Sequence, residues 1–468
     1  MSNGRHDGFV GSDAWGAARR MNGLDTVMWR AEVDPLLRST VMAVYTLDRV
    51  PPWADVVAEH ERIVGLVPRL AQRVSETRLG VGNPGWRHDT KLDLDYHVRR
   101  VRLPEPADHG ALLMLAQTMA CTPFDRRRPL WEAVLAEGLN GDQAGYVLKL
   151  HHSSMDGAAL MCLDALMHPP YGSDRPQPGL SLVRKEDDET ERRARPAGSI
   201  GALAAVGGKL LGHATGALRH PSRAVREGSR LAESLVHVFS RPAVAPSPLL
   251  RGRAGSWRFV TVDAPLSSVR SAAKAAGVSL NDAVVSAVLG GLRRYHEHFG
   301  VPLSTVAAAI PIAGGRPGQI RGGNGFSVAR MAMPMGEADP VRRMRMVREL
   351  ITGVRSERAG KAPALLAHSM GVLPSFVIAP VLKHTTQAHD VQISTLRGAE
   401  APLSLAGARI LRLYPFGPLP AIALSVTMHT YDGNCCFGVN FDAAAVRDPD
   451  VLVRCLQDGI DETTTTGS

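Results

Sequence analysis

Leu148-Lys149-Leu150-His151-His152-Ser153-Ser154-Met155-Asp156-Gly157 is the stretch on which the reading of this chain turns. Ahead of it, Gly145 to Leu150 alternates apolar with small or polar residues and includes β-branched and aromatic members, which predicts a buried strand. Behind it, Ala158-Ala159-Leu160-Met161-Cys162-Leu163 is an apolar, helix-compatible run opened by Gly157. The histidine pair therefore sits where a strand ends and a helix begins. Neighbouring side chains on a strand point to opposite faces, so His151 and His152 cannot both serve one substrate. One is expected to be the working base and the other to be packed. Asp156 is close enough along the turn to hold an imidazole or to pair with a distant arginine, and Gly157 permits backbone geometry that a Cβ would forbid. His152 and Asp156 are two ligands at most, too few for a metal, and no pattern supplies a third.

Working outward, 468 residues leave room for two cores or one large one. An apolar fraction of 44% and a charged fraction of 21% are those of an ordinary globular chain. No run of 18 apolar residues occurs, so a membrane-crossing helix is not expected. Residues 1–16 are polar and Gly-rich, unlike a secretory signal. Cys121, Cys162, Cys435, Cys436 and Cys455 are odd in number and lack C-x-x-C spacing, which predicts a reducing cytosol without disulfides or a zinc cluster. The formal charge of +9 calls for an anionic partner. Nucleic acid does not fit, because the basic residues are scattered, aromatics are only 5%, and no DNA or RNA module is present.

His-His-x-x-x-Asp-Gly is the signature of the acyl-CoA-dependent acyltransferases with the chloramphenicol-acetyltransferase-like fold, and of peptide-synthetase condensation domains. Within that superfamily the whole chain resembles the bacterial wax ester synthases/diacylglycerol acyltransferases. Leu24-Asp25-Thr26-Val27-Met28-Trp29 resembles the opening segment, Leu92-Asp93-Leu94-Asp95-Tyr96-His97-Val98 follows, and Pro129-Leu130-Trp131-Glu132 resembles the Pro-Leu-Trp-Glu box. Leu280-Asn281-Asp282-Ala283 resembles the Asn-Asp signature, and Gly323-Asn324-Gly325-Phe326-Ser327 the Gly-Asn-x-x-Ser segment. One segment departs. Where the family carries Ser-Asn-Val-Pro-Gly-Pro, this chain reads Ser394-Thr395-Leu396-Arg397-Gly398-Ala399, without the Asn and both prolines.

The resemblance implies an α/β (α+β) fold of two chloramphenicol-acetyltransferase-like domains, each a mixed sheet with flanking helices, with a channel between them. It implies His152 as the general base and places Asn281 and Asp282 at the reaction centre. There Asn281 donates to a developing oxyanion or orients the acceptor hydroxyl, and Asp282 holds the helix start, with Ser279 as its cap. The implied activity moves a long-chain acyl group from acyl-CoA, a co-substrate, to diacylglycerol or a long-chain alcohol, with no cofactor and no acyl-enzyme. The alternatives are a degenerate member that binds lipid without turnover and a condensation-type enzyme with another acceptor. The implied location is the cytoplasm, with peripheral contact to the inner face of the plasma membrane or to lipid droplets.

The expected organisation is a disordered N-terminus (1–20), an N-terminal acyltransferase domain (21–183), a charged linker with basic amphipathic helices (184–255), a C-terminal acyltransferase domain (256–460) and a tail (461–468). In the linker, Leu203, Val206, Leu210, Ala214 and Ala217 recur at three- or four-residue steps beside Arg219, Arg223, Arg226 and Arg230, which suits either a membrane surface or a helical connector. Two motifs mislead. Gly80-Val81-Gly82-Asn83-Pro84-Gly85 matches G-x-G-x-x-G but has no helix to open, so it reads as a loop between strands. Ala367-His368-Ser369-Met370-Gly371 mimics a nucleophile elbow, yet its flanks favour helix rather than the strand an elbow needs.

Overall fold

The computed structural model describes residues 18–173 except 78, 79, 81 and 156, together with 244–313, 326–357 and 375–466. Asp156, the 184–243 part of the linker, most of the Gly323–Ser327 segment and Ala367–Gly371 lie outside the described residues. Contacts divide the chain into one unit, Met1–Arg175 with Arg241–Ser468, and another, Pro176–Ser240, which also lies outside them.

The alternating stretch forms β6 (Gln143–His151), an interior strand with antiparallel neighbours on both sides, β1 (Thr40–Leu47) and β5 (Trp131–Leu139). Burial on both faces explains why its apolar alternation is incomplete: even Lys149 is fully enclosed. Parallel β4 (Val98–Arg102) closes one edge of this first sheet. The other edge is made by β12 (Ala408–Phe416) and β11 (Ser404–Leu405), so that the order is β11-β12-β1-β6-β5-β4. Residues from the C-terminal half thus complete the sheet of the N-terminal half, and the expected sequence boundary near 256 does not follow the sheets. The pair β2 (Gln72–Ser75) and β3 (Gly85–His88) is antiparallel, and Gly85, the last glycine of the G-x-G-x-x-G match, is the first residue of β3.

The second sheet runs β7 (Trp257–Pro265), β14 (Asn434–Asp442), β13 (Leu424–Tyr431), β10 (Val391–Arg397), β8 (Val306–Ala313), β9 (Phe326–Met333). It is also mixed, since β10 lies parallel to β13 and β8 while the other pairs are antiparallel. Tyr431-Asp432-Gly433-Asn434 makes the β13–β14 hairpin with φ of 43° and 74° at its centre, the left-handed pair that Asp-Gly tolerates.

Helices cover both sheets. In the first half α1 (Gly23–Ala31) is capped reciprocally by Asn22 and Asp25, and α2 (Trp53–Leu66), α3 (Leu94–His97), α4 (His109–Cys121) and α5 (Gly157–Met167) follow. In the second half α6 (Leu266–Ala276) stops at left-handed Gly277, then come α7 (Leu280–His298) and α8 (Pro340–Glu357). α9 (Ser375–Thr386) and α10 (Pro449–Thr465) complete the set. The last helix runs beyond the expected start of the tail, because Thr463 is buried and Glu462 is held by Arg343 at 3.0 Å. No single described helix is long and apolar enough to cross a membrane, and the bent pair α6–α7 buries its apolar residues in the second core.

Candidate active site

β6 ends at His151, whose N–H donates to Leu130 O at 3.1 Å, so the Pro-Leu-Trp-Glu box fixes the end of the motif strand. Trp131 and Glu132 stand opposite Leu150 and Lys149. The Trp131 indole donates to Leu70 O at 2.7 Å, and Lys149 Nζ meets Glu132 Oε1 at 3.0 Å with Arg99 on the other carboxylate oxygen. Cutting either partner of such an enclosed pair costs about 3–5 kcal/mol. The box is thus structural support placed directly beneath the histidines.

His151 is wholly buried, with Trp29 and Phe124 edge-on at 5.8 and 5.9 Å. Ser153 N–H donates to its Nδ1 at 3.1 Å, and Ser153 Oγ lies 2.7 Å from the same nitrogen. A ring nitrogen that accepts a backbone N–H carries no proton, which leaves the proton on Nε2. That nitrogen lies 3.2 Å from Glu32 Oε1. Glu32, just past α1, also accepts from Ser39 N–H at 2.6 Å, and Arg126 stands 4.0 Å from Oε2. Burial pushes the Glu32 carboxyl up, but His151, Ser39 and Arg126 outweigh it and hold the group down at about 2. His151 is therefore a packed and anchored ring.

His152 has left the strand. Its N–H donates to Ser39 O at 2.8 Å, and its side chain is half-buried at the start of the turn. Ser154 N–H and Oγ close that turn onto His151 O at 2.9 and 2.6 Å. The structure thus encloses one ring at the strand end and leaves the other half-buried at the turn.

Gly157 opens α5. A Cβ there would stand 3.4 Å from Leu396 Cδ2 on β10 of the second sheet, an ordinary contact. The segment that departs from the family pattern therefore lies directly against the motif. Asn281 and Asp282 occupy the first turn of α7, which packs on β10. Asp282 accepts from Ser279 N–H at 2.9 Å and from its hydroxyl at 2.7 Å, so its carboxylate serves the capping box. Asn281 is half-buried beside it.

Two of the three arginines after Phe124 are already engaged. Arg126 donates to Trp29 O and covers the Trp29 ring at 4.1 Å, while Arg128 pairs with Asp93 and Asp125. Glu32 is the site residue that sequence reasoning missed. It follows the Leu24–Trp29 segment, but nothing in its spacing ties it to His151. Among the described residues no three His, Cys, Asp or Glu side chains are placed to hold a metal.

Two mixed sheets, the first completed by strands from the C-terminal half, with a paired-histidine motif at the end of a central strand, make up the fold. Solved structures show the same fold. A wax ester synthase/diacylglycerol acyltransferase from Marinobacter aquaeolei aligns over 96% of this chain and 99% of its own, with a TM-score of 0.65 at 21% identity. The first condensation domain of the calcium-dependent antibiotic synthetase aligns over 97% of each chain, with a TM-score of 0.60 at 16% identity. The wax ester synthase/diacylglycerol acyltransferase catalytic domain matches residues 16–284, and the C-terminal domain of the same family matches residues 322–464. A Mycobacterium tuberculosis protein provisionally named a diacylglycerol O-acyltransferase is 36% identical over 451 residues, 94% of this chain and 90% of that one. A second from that organism, named likewise, is 27% identical over 92% of this chain and 93% of its own. This chain belongs to the wax ester synthase/diacylglycerol acyltransferase family and is an acyltransferase.

Proposed function

We propose that the chain transfers a long-chain acyl group from acyl-CoA to the hydroxyl of a diacylglycerol or a long-chain alcohol, with His152 as general base. The observation that carries this is the contrast between the two rings: His151 is fully buried with Nε2 3.2 Å from Glu32, while His152 is only partly buried at the turn. Neutral imidazole titrates near ~6.5, which suits proton transfer around neutral pH. His152 takes the hydroxyl proton as the oxygen attacks the thioester carbonyl, and it returns that proton to the departing thiolate of CoA. The oxyanion formed between these steps needs donors, for which the Asn281 carboxamide and backbone N–H groups are suited. The thioester is already activated, so no acyl-enzyme and no cofactor are required. The reaction takes place between the two halves, in the cytoplasm, on a protein that meets membranes or lipid droplets peripherally.

The test is release of free CoA from long-chain acyl-CoA by the purified protein, with diacylglycerols and long-chain alcohols as acceptors. Acceptor-dependent release supports the reading; lipid binding without release with any acceptor overturns it. A second reading, a member that binds lipid without turnover, has one observation behind it: Leu396 of the altered segment lies 3.4 Å from where a Cβ on Gly157 would stand.

A further inference from the structure

β13 has two faces, and only one of them belongs to the second core. Leu424, Val426 and Met428 pack into that core, whereas Ser425, Thr427 and His429 point the other way on a strand that is buried throughout. Buried polar groups ordinarily find partners. Here Ser425 Oγ, Thr427 Oγ1 and both His429 ring nitrogens have none among the described residues. On β14, Asn440 stands opposite Ser425 and donates from Nδ2 to Gly417 O at 3.0 Å, while its Oδ1 is unpartnered. Ser425 and Asn440 are 0% exposed and Thr427 is 4% exposed.

Of these groups, those of Ser425, Thr427 and Asn440 converge on Gly417. A Cβ on that residue would stand 3.0 Å from Thr427 Oγ1, 3.1 Å from Ser425 Oγ and 3.8 Å from Gln392 Nε2. Gly417 is not among the residues with positive φ, so its backbone does not require glycine. Room does. The cradle is also well placed. β12 ends at Phe416 opposite Met42, and β1 carries Thr40 opposite His151, so Gly417 lies at the end of the first sheet from which His152 emerges. Two strand spacings separate them, roughly 10 Å.

The chemistry of the cradle is neutral. The two cross-strand rows, Gln392–Ser425–Asn440–Phe259 and Thr427–Gly438–Thr261 continued by Ser394, hold no charged residue. Hydroxyls and carboxamides both donate and accept, which suits a ligand carrying N–H and C=O groups and not a phosphate or carboxylate. A long-chain alcohol has one hydroxyl, needed at His152, and the esters of a diacylglycerol only accept. The thioester donor carries a neutral arm with two amides. We propose that Ser425, Thr427 and Asn440 around Gly417 form a binding site for the amide-bearing pantetheine arm of the acyl-thioester donor, an assignment that rests on the acyl transfer proposed above.

The test measures binding of S-hexadecyl-CoA, a thioether that cannot react, to the full-length protein by calorimetry. Thr427→Val and Gly417→Ala should each weaken it by about 3- to 10-fold, the worth of one neutral hydrogen bond. Thr427→Ser should stay near the parent, and binding of hexadecanol should not change. Thr427→Val should melt no lower than the parent, since it removes an unpartnered hydroxyl; an effect that is only structural would do the reverse. Unchanged thioether binding in both Thr427→Val and Gly417→Ala overturns the site, as does a loss that falls on hexadecanol instead. A parent that binds the thioether but releases no CoA from acyl-CoA overturns the acyl-transfer reading and leaves the site standing.

Discussion

At the scale of single residues, the two histidines differ in what surrounds them. His151 is held at Nδ1 by Ser153 and faces Glu32 with Nε2, so it has no nitrogen to offer a substrate. His152→Ala should therefore lower turnover by ~10²–10⁴-fold, the worth of a positioned base, without changing the melting temperature. His151→Ala should act chiefly on stability, since it empties a site framed by Trp29 and Phe124. A stable but inactive His151 variant beside an active His152 variant would reverse the assignment. Glu32 carries a pH signature. Its folded carboxyl is held at about 2, below the ordinary 4.5. A depressed acid contributes stability that is fully present above its unfolded value and lost as pH falls through the folded one. The contribution, roughly 3 kcal/mol at neutral pH, should thus disappear between about 4.5 and about 2. Glu32→Gln should destabilise the protein at pH 7 and flatten its acid unfolding curve across that window. Parallel acid curves for parent and variant would show that Glu32 does not hold His151.

At the scale of elements, the halves meet where β14 crosses β12. A Cβ on Gly438 would stand 1.9 Å from Pro415 O, and Phe259 stacks on Phe416 at 4.1 Å next to that crossing. Backbone cannot yield as a flexible side chain can, so Gly438→Ala should lower the melting temperature by several degrees, corresponding to about 1–3 kcal/mol of overpacking. An unchanged melting temperature would mean that the crossing is looser than these distances imply. Elements whose cause is local were legible in the sequence. The alternation of β6, the Ser279–Asp282 capping box and the Asp432-Gly433 turn each depend on residues within one turn or one strand. Pairings set by tertiary packing were not. Nothing in Ala408 to Phe416 announces that this strand joins β1 and not its sequence neighbour β13. The meeting of Glu32 with His151, and of Leu396 with Gly157, comes from the same packing. At the C-terminus the expected tail begins at 461, but threonine hydroxyls there bond back to carbonyls three or four residues earlier and the helix continues to Thr465.

At the scale of the whole molecule, the formal charge of +9 and the lipid acceptors proposed above lead to the prediction of reversible docking on anionic surfaces. Replacing Arg219, Arg223, Arg226 and Arg230 by Glu should abolish salt-sensitive co-sedimentation with anionic vesicles while sparing activity on a soluble short-chain alcohol. Equal vesicle binding by parent and variant would place the docking surface elsewhere. The shared first sheet makes a stronger demand. β12 brings Ile410, Leu413, Tyr414 and Phe416 into the first core, and β11 adds Leu405. At about 1.5–3 kcal/mol for each buried large side chain, their loss is on the order of 10 kcal/mol, comparable with the whole stability of an ordinary domain. Without β12, β1 also becomes an open edge whose unpaired N–H and C=O groups invite aggregation. A fragment of residues 18–255 should therefore fail to fold alone, giving no cooperative thermal transition and sedimenting as aggregate. Co-expression with residues 256–468 should restore a soluble complex, because the missing strand is then supplied in trans. A monomeric 18–255 fragment with a sharp transition would show that the first sheet closes without β12, and the halves would then be independent domains.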